Sequence, residues 1–261
     1  MQPRNPKREK IYIYGIHALE EALLNAPGSV KKAFVARTMP DQGLHALLKE
    51  RDIPTDELIV GTAGSLVGRD AVHQGVIAVV DPTVLMRPLD EFVTSLDLAT
   101  QPAVVVLAEL TDPGNVGAII RSAAALGLAG VLVPEHRQAP VTGAVVRSSA
   151  GMAFRIPLVS AGNVNHALEV LKKRGFWVYG LAMDGATPLA QEVFDRPAVF
   201  VIGNEGEGLR QKTREACDTT LTIPMKEGAE SLNAAASAAI VFYEWGKQHL
   251  EAVAADTKSD L

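Results

Sequence analysis

Apolar residues recur in two registers along the chain, and the change between them divides it. From residue 15 the spacing is helical, through Ile16, Leu19, Ala22 and Leu23 to Pro27, and β-rich runs follow at 33–35, 58–60 and 76–80. With a further helical stretch at 42–49, these runs predict a small α/β domain over residues 11–81. Residues 82–102 hold three prolines and little periodicity apart from a short helix within 89–98, so a linker is expected there.

From residue 103 the pattern becomes strand and helix in alternation. Residues 103–110 form a continuous apolar run, as in a strand covered on both faces; 115–128 reads as a helix and 131–133 as the next strand. Helical spacing returns at 164–174, strands follow at 176–183, 198–202 and 221–223, and 231–250 carries the longest helical signal. This alternation predicts an α/β domain over 103–250, a mostly parallel sheet with helices on both faces and a ligand site at the carboxyl ends of its strands. The ends are polar: 1–10 reads as a flexible basic arm with Arg4, Lys7, Arg8 and Lys10, and 251–261 as a polar tail.

Composition narrows the class. The single cysteine, Cys217, excludes an internal disulfide framework and a multi-cysteine zinc site, and points to a reducing, cytoplasmic compartment. The six histidines show no metal-ligand spacing, so no metal is expected. No apolar run approaches the ~20 residues of a membrane span. The formal net charge of −5 provides no global basic footprint and, taken alone, argues against a nucleic-acid partner.

Three polar loops at the expected strand ends concentrate the chemistry. In the first, Asp112-Pro113-Gly114-Asn115 has strong turn character; Asn115 is a candidate cap, and Arg121 follows about two turns into the helix. An arginine between Ile119, Ile120 and Ala123 has little structural reason to be there, so a functional role is favoured. The second loop, Gly203-Asn204-Glu205-Gly206-Glu207-Gly208, lacks the Gly-x-Gly-x-x-Gly order and any following Lys-Ser/Thr pair, which removes the main support for dinucleotide and nucleoside-triphosphate binding. Its glycines still allow close backbone approach to a ligand, with Glu205 beside it. In the third loop Ser231 is a good helix cap, while a capped core helix leaves Asn233, set before a run of alanines, unexplained.

The order DPGNVGAIIRSA, GNEGEGL, IPMKEGAESLNAAASAA resembles the three motifs of the SpoU (TrmH-like) branch of the SPOUT superfamily, RNA ribose 2′-O-methyltransferases. It covers roughly residues 103–250, and the intervening Arg147-Ser148-Ser149-Ala150-Gly151-Met152 also looks like a family segment. In the front domain, Tyr14-Gly15-Ile16-His17-Ala18 and Val72-His73-Gln74-Gly75-Val76 resemble the substrate-binding domain of bacterial 23S rRNA guanosine 2′-O-methyltransferases and their mitochondrial relatives.

That resemblance implies a trefoil-knotted catalytic domain, a homodimer with its site at the subunit interface, and S-adenosylmethionine as methyl donor without a metal. Carried over by position, the reactive group comprises Asn115, Arg121, Glu205, Ser231 and Asn233, and the methyl donor is held around Leu181, Gly203, Asn204, Gly206, Ile223, Met225 and Leu232. His73, Gln74 and Arg147 are candidate RNA contacts. A guanidinium stays protonated in almost any site, so Arg121 is expected to stabilise a phosphate and the developing alkoxide. The expected substrate is 23S rRNA; a tRNA acceptor and a non-catalytic RNA-binding or ribosome-assembly protein on the same fold are the alternatives. The charge then reads differently. Residues 1–85 balance ten Lys and Arg against ten Asp and Glu, so the whole −5 lies in the second half. Local patches must hold the RNA.

Overall fold

A computed structural model describes residues 10–68, 71–184, 187–204, 206–226 and 231–254. Most of the basic arm and the end of the polar tail lie outside the described residues.

The front domain is a four-stranded mixed sheet. It runs β1 (Ile11–Tyr14), α1 (Ile16–Asn25), β2 (Val30–Val35), α2 (Gln42–Glu50), β3 (Thr55–Glu57), α3 (Val60–Val67) and β4 (Val76–Val80), with strand order β1-β4-β2-β3. The central strand β4 is buried along its whole length and pairs antiparallel with both β1 and β2. The strand expected at 58–60 lies instead at 55–57, and α3 starts at Val60; β3 is an exposed edge paired parallel to β2.

The stretch expected to be a linker carries structure. After α4 (Pro82–Leu85) it forms β5 (Met86–Pro88), which pairs parallel with β8, and α5 (Leu89–Ser95). Phe92 and Val93 of α5 are buried, and the Phe92 ring packs where Gly130 leaves out a side chain.

The second half follows the expected alternation: β6 (Ala103–Leu107), α6 (Pro113–Ala125), β7 (Gly130–Pro134), α7 (Gly143–Ser148), β8 (Leu158–Gly162), α8 (Val164–Arg174), β9 (Trp177–Leu181), β10 (Thr187–Pro188), β11 (Ala198–Ile202), α9 (Gln211–Glu215), β12 (Thr219–Thr222), α10 (Ala234–Gln248) and α11 (Leu250–Ala254). The sheet order is β10-β12-β9-β11-β6-β7-β8-β5, and every pairing in it is parallel.

Both faces of this sheet are covered, which explains its unbroken apolar strands. Successive β6 residues alternate between two cores: Ala103, Val105 and Leu107 join Val116, Ile119, Phe242 and Trp245 of α6 and α10, whereas Val104 and Val106 join Leu168 and Leu171 of α8. No helix among the described residues is long and apolar enough to cross a membrane.

The two domains share the first of these cores. A polar clamp sits beside it: Arg155 donates from Nε and Nη2 to the two carboxylate oxygens of Glu21 at 2.6 and 2.8 Å, and Asn25 donates to the same carboxylate at 3.1 Å. The Glu21 side chain is only 4% exposed, so the guanidinium supplies most of what water would otherwise provide.

Candidate active site

The first loop starts its helix earlier than expected. Asp112, not Asn115, is the cap, accepting from the Gly114 N–H at 2.9 Å, and Pro113 takes the first helical position, where a missing N–H costs nothing. Asn115 therefore lies in the first turn of α6 and is not its cap. α7 braces this turn from behind: the Ser148 hydroxyl lies between the Pro113 carbonyl at 3.0 Å and the Ala144 carbonyl of its own helix at 2.9 Å, and Gly117 lets the two helices touch, since a methyl group there would overlap that hydroxyl.

The third loop shows the same displacement. Asn233 caps α10, accepting from the N–H groups of Ala235 and Ala236 at 2.9 and 3.2 Å, and Ser231, the expected cap, lines a pocket instead. Because only the Asn233 oxygen is used for capping, its Nδ2 donates to Asn115 Oδ1 at 2.8 Å. Two residues 118 apart in sequence are thus joined by one carboxamide contact.

Beside this pair, a cavity of about 440 Å³ opens at the carboxyl ends of β9, β11 and β12. Leu181, Gly203, Asn204, Gly206, Ile223, Met225 and Leu232, the seven residues expected around the methyl donor, all line it, together with Ser231. Apolar side chains form one wall and the glycine-rich loop the other, a combination that suits a ring held by contact and a backbone offering hydrogen bonds. Gly203 has no room for a Cβ against the backbone of Gly208 and Leu209, so glycine is required for the loop to fold back on itself.

Asn204 lines the cavity and also organises that loop. Its Oδ1 accepts from Gly206 and Glu207 at 2.9 and 3.2 Å, its backbone pairs in both directions with Gly208 at 3.0 Å, and its Nδ2 donates to the Glu109 carbonyl at 2.9 Å. Glu109 holds a left-handed backbone at φ 66° and its carboxylate takes Arg210 Nε at 2.8 Å. Glu109 sits inside the run 103–110 that was expected to be apolar throughout, and so was passed over as a site residue. Glu205 lies outside the described residues.

Arg121 does not join this cluster within one chain. Six residues beyond Asn115, it stands about 9 Å further along α6 and about 120° around its axis. It is exposed, with no ion pair or hydrogen bond among the described residues.

Of the candidate RNA contacts, Gln74 and His73 bond within the front domain, and Arg147 reaches that domain from α7. Gln74 Oε1 accepts from the Ile16 N–H at 3.2 Å at the start of α1, and His73 Nδ1 accepts from the Gly75 N–H at 3.1 Å, so each has a local structural task. The Arg147 guanidinium lies 5.7 Å from the centre of the Tyr14 ring and faces a cleft of about 1320 Å³ between β1 and the segment after β7.

Comparison with known proteins identifies both domains. Residues 102–243 match the SpoU rRNA methylase family, and residues 12–84 match the RNA 2′-O ribose methyltransferase substrate-binding domain. The chain is 34% identical over 241 residues to the 23S rRNA (guanosine-2′-O-)-methyltransferase RlmB of Pseudomonas putida, covering 90% of this chain and 96% of that protein. Among solved structures, the SpoU methyltransferase AviRb of Streptomyces viridochromogenes in complex with its cofactor AdoMet superimposes with a TM-score of 0.81 at 28% identity, over 92% of this chain and 91% of that one. An RNA 2′-O ribose methyltransferase superimposes at 0.73 with 26% identity, over 93% and 90%.

Proposed function

Because the chain belongs to the SpoU rRNA methylase family, and is an S-adenosylmethionine-dependent RNA 2′-O-ribose methyltransferase, we propose that its substrate is a guanosine of 23S rRNA, methylated in the cytoplasm. The observation that carries this is the end-to-end likeness to RlmB, which includes the front domain as well as the catalytic one. Mapping 2′-O-methyl groups in rRNA from cells with and without the protein tests it: one 23S guanosine should lose its methyl group. Loss confined to tRNA would overturn the rRNA reading.

S-adenosylmethionine supplies an electrophilic methyl group on a sulfonium; its transfer to the ribose oxygen releases S-adenosylhomocysteine and the hydroxyl proton. The seven pocket residues hold it, and Asn115, Ser231 and Asn233 line the approach of the ribose. Positioning accounts for much of the rate, since alignment of nucleophile and methyl group is worth several kcal/mol, up to about 7–11, in well-oriented reactions.

Arg121 completes the site from a second copy of the chain. Its place on α6, turned away from Asn115, supports a homodimer with the site at the interface, in the knotted arrangement that the family resemblance implies. A guanidinium has no lone pair to accept a proton at neutral pH, so Arg121 stabilises the developing alkoxide and an adjacent phosphate. Glu205 is assigned to orient it.

A further inference from the structure

The carboxyl edge of the parallel sheet holds a second crevice that the methyl donor does not use. From β6 the chain runs outward through β7 to β8, then crosses to β9, β11 and β12 on the other side, so the strand order reverses between β6 and β11. Open α/β sheets form their ligand crevice outside the carboxyl ends at such a reversal. Here the position is a cavity of about 500 Å³, walled by the segments that follow β6, β7, β8 and β11. Asn204 belongs both to this cavity and to the pocket assigned to the methyl donor, so the two adjoin.

Its chemistry is donor-rich. Arg137 and Lys212 line it, are exposed, and have no hydrogen-bond or ion-pair partner among the described residues, whereas nearby Arg210 and Arg214 are paired with Glu109 and Asp184. Glu207 also lines the crevice, so three cations, Arg137, Arg210 and Lys212, face two carboxylates, Glu109 and Glu207, which leaves one excess positive charge there in a chain of net charge −5. Two carboxamides face the same space. Asn163 Oδ1 caps α8, accepting from Asn165 and His166 at 2.9 and 3.3 Å, and Asn165 Oδ1 accepts from the Thr213 hydroxyl at 3.1 Å. These contacts occupy the side-chain oxygens, which leaves the Nδ2 of each without a hydrogen-bond partner among the described residues. Cations and amide donors together fit an anionic ligand bearing carbonyl acceptors.

We propose that this crevice seats a nucleotide of the RNA flanking the methylated ribose, with Arg137 and Lys212 on its phosphate and the Asn163 and Asn165 amides on its base. The inference rests on the RNA-methyltransferase reading, and it extends the RNA-binding surface beyond His73, Gln74 and Arg147.

The test uses the full chain, a fluorescein-labelled single-stranded RNA 20-mer of mixed sequence, and deproteinised rRNA as methyl acceptor. The Arg137→Ala/Lys212→Ala double variant should bind the 20-mer about tenfold more weakly. Its log–log salt slope should be shallower by about 0.7, the value for one phosphate no longer neutralised on a single strand. The KM for rRNA should rise in step, and S-adenosylmethionine affinity by calorimetry should stay within twofold. Arg137→Lys should recover most of the binding lost at that position. Lys173→Ala/Arg174→Ala, which removes the same charge from the last turn of α8, should leave RNA binding unchanged. If the wild type methylates rRNA and the Arg137/Lys212 variant keeps its affinity and slope, the crevice is not an RNA site, although the activity stands. Loss of methyl-donor binding in that variant also overturns the inference, because the effect would then act through the neighbouring loop. If the wild type transfers no methyl group but the variant still loses RNA binding, the activity reading fails and the crevice remains.

Discussion

Replacing Asn233 separates two tasks that one side chain performs. Its oxygen caps α10 and its amide nitrogen holds Asn115. Asn233→Asp keeps an acceptor for the Ala235 and Ala236 N–H groups and places a negative charge at a helix N-terminus, which is neutral to favourable for stability. It removes the only N–H groups of the side chain, so Asn115 meets an acceptor where it met a donor. Asn233→Ala removes both functions. Losing the cap costs about 1 kcal/mol, or about 2–4 °C of unfolding temperature for a chain of this size. The expected outcome is that Asn233→Asp unfolds within about 1 °C of the wild type while its kcat/KM falls at least fivefold, and that Asn233→Ala shows the activity loss together with the lower unfolding temperature. The size of the loss is informative. One neutral hydrogen bond of about 1 kcal/mol used only to position Asn115 gives about fivefold. A donor aimed at the oxygen on which charge develops gives about 10²–10³. Steady-state methyl transfer from labelled S-adenosylmethionine and a thermal melt measure both quantities, with calorimetry confirming that the methyl donor still binds. Wild-type turnover by Asn233→Asp would refute the reasoning and reduce the Asn115–Asn233 contact to a helix cap.

If Arg121 acts across the dimer, Arg121→Ala and Asn115→Ala homodimers should each be inactive, while a mixture of the two refolded together should recover about a quarter of wild-type activity, since half the dimers are mixed and each carries one intact site; no recovery would place both residues in one chain's site. Gly117→Ala should lower the unfolding temperature and activity together by pushing α7 off the first turn of α6, at a cost of about 1–3 kcal/mol; a melt at the wild-type temperature would show that the helices can separate freely. Arg155→Ala leaves the buried Glu21 carboxylate with Asn25 as its remaining side-chain donor, and should destabilise by about 1–3 kcal/mol, less than a fully buried pair because Arg155 is half exposed; Glu21→Gln/Arg155→Ala should recover part of this, and equal destabilisation by the single and double variants would mean that the carboxylate is not the source. Burial pushes the Cys217 thiol up to about 11, so at pH 8 it should react with a disulfide reagent about 10²-fold more slowly in the folded protein than in denaturant, where the thiol returns to its ordinary range near 8.5, with the folded-state rate rising as the pH approaches 11; equal rates would contradict its burial.

Legibility in the sequence followed burial on both faces and clean helix ends. β6 and β11 lie within continuous apolar runs because each residue packs on one core or the other, and α8 has the predicted limits because Asn163 opens it and Gly175, at φ 106°, closes it. The misplaced strand of the front domain is the opposite case. Thr55, Asp56 and Glu57 are all exposed and carry no apolar signal; they are held to β2 by backbone groups, with Ala33 N–H donating to Pro54 and Leu58 N–H to Val35, and by the Lys32–Asp56 ion pair. β5 is equally quiet. Met86, Arg87 and Pro88 become a strand only because β8 leaves an edge, so the expected linker is an ordered seam whose buried residues divide between the two cores, Leu85 in the one shared with the front domain and Phe92 and Val93 in the one with α8.

At the site the residue types were legible and their tasks were not. Capping preference alone favours Ser231 and Asn115 as helix starts, and that would consume both side chains in local bonds. The structure gives the caps to Asn233 and Asp112, leaving Ser231 on the pocket wall and Asn115 in the first turn of α6. Asparagine at these loop positions has a reason that serine or aspartate could not supply. A capping oxygen is available from all three, but only a carboxamide also has an N–H₂ group to direct elsewhere. Asn204 uses its oxygen to close the glycine loop and its nitrogen to hold the Glu109 carbonyl, and Asn233 uses its oxygen on α10 and its nitrogen on Asn115. Asn163 spends its oxygen on α8 in the same way, at the crevice proposed for the neighbouring nucleotide. The Asn204 and Asn233 loops are therefore each tied to their own turn or helix by the oxygen of one side chain, while its nitrogen reaches across to another loop at the carboxyl edge of the sheet, so substitution by a residue that caps equally well should preserve the fold and lose the alignment.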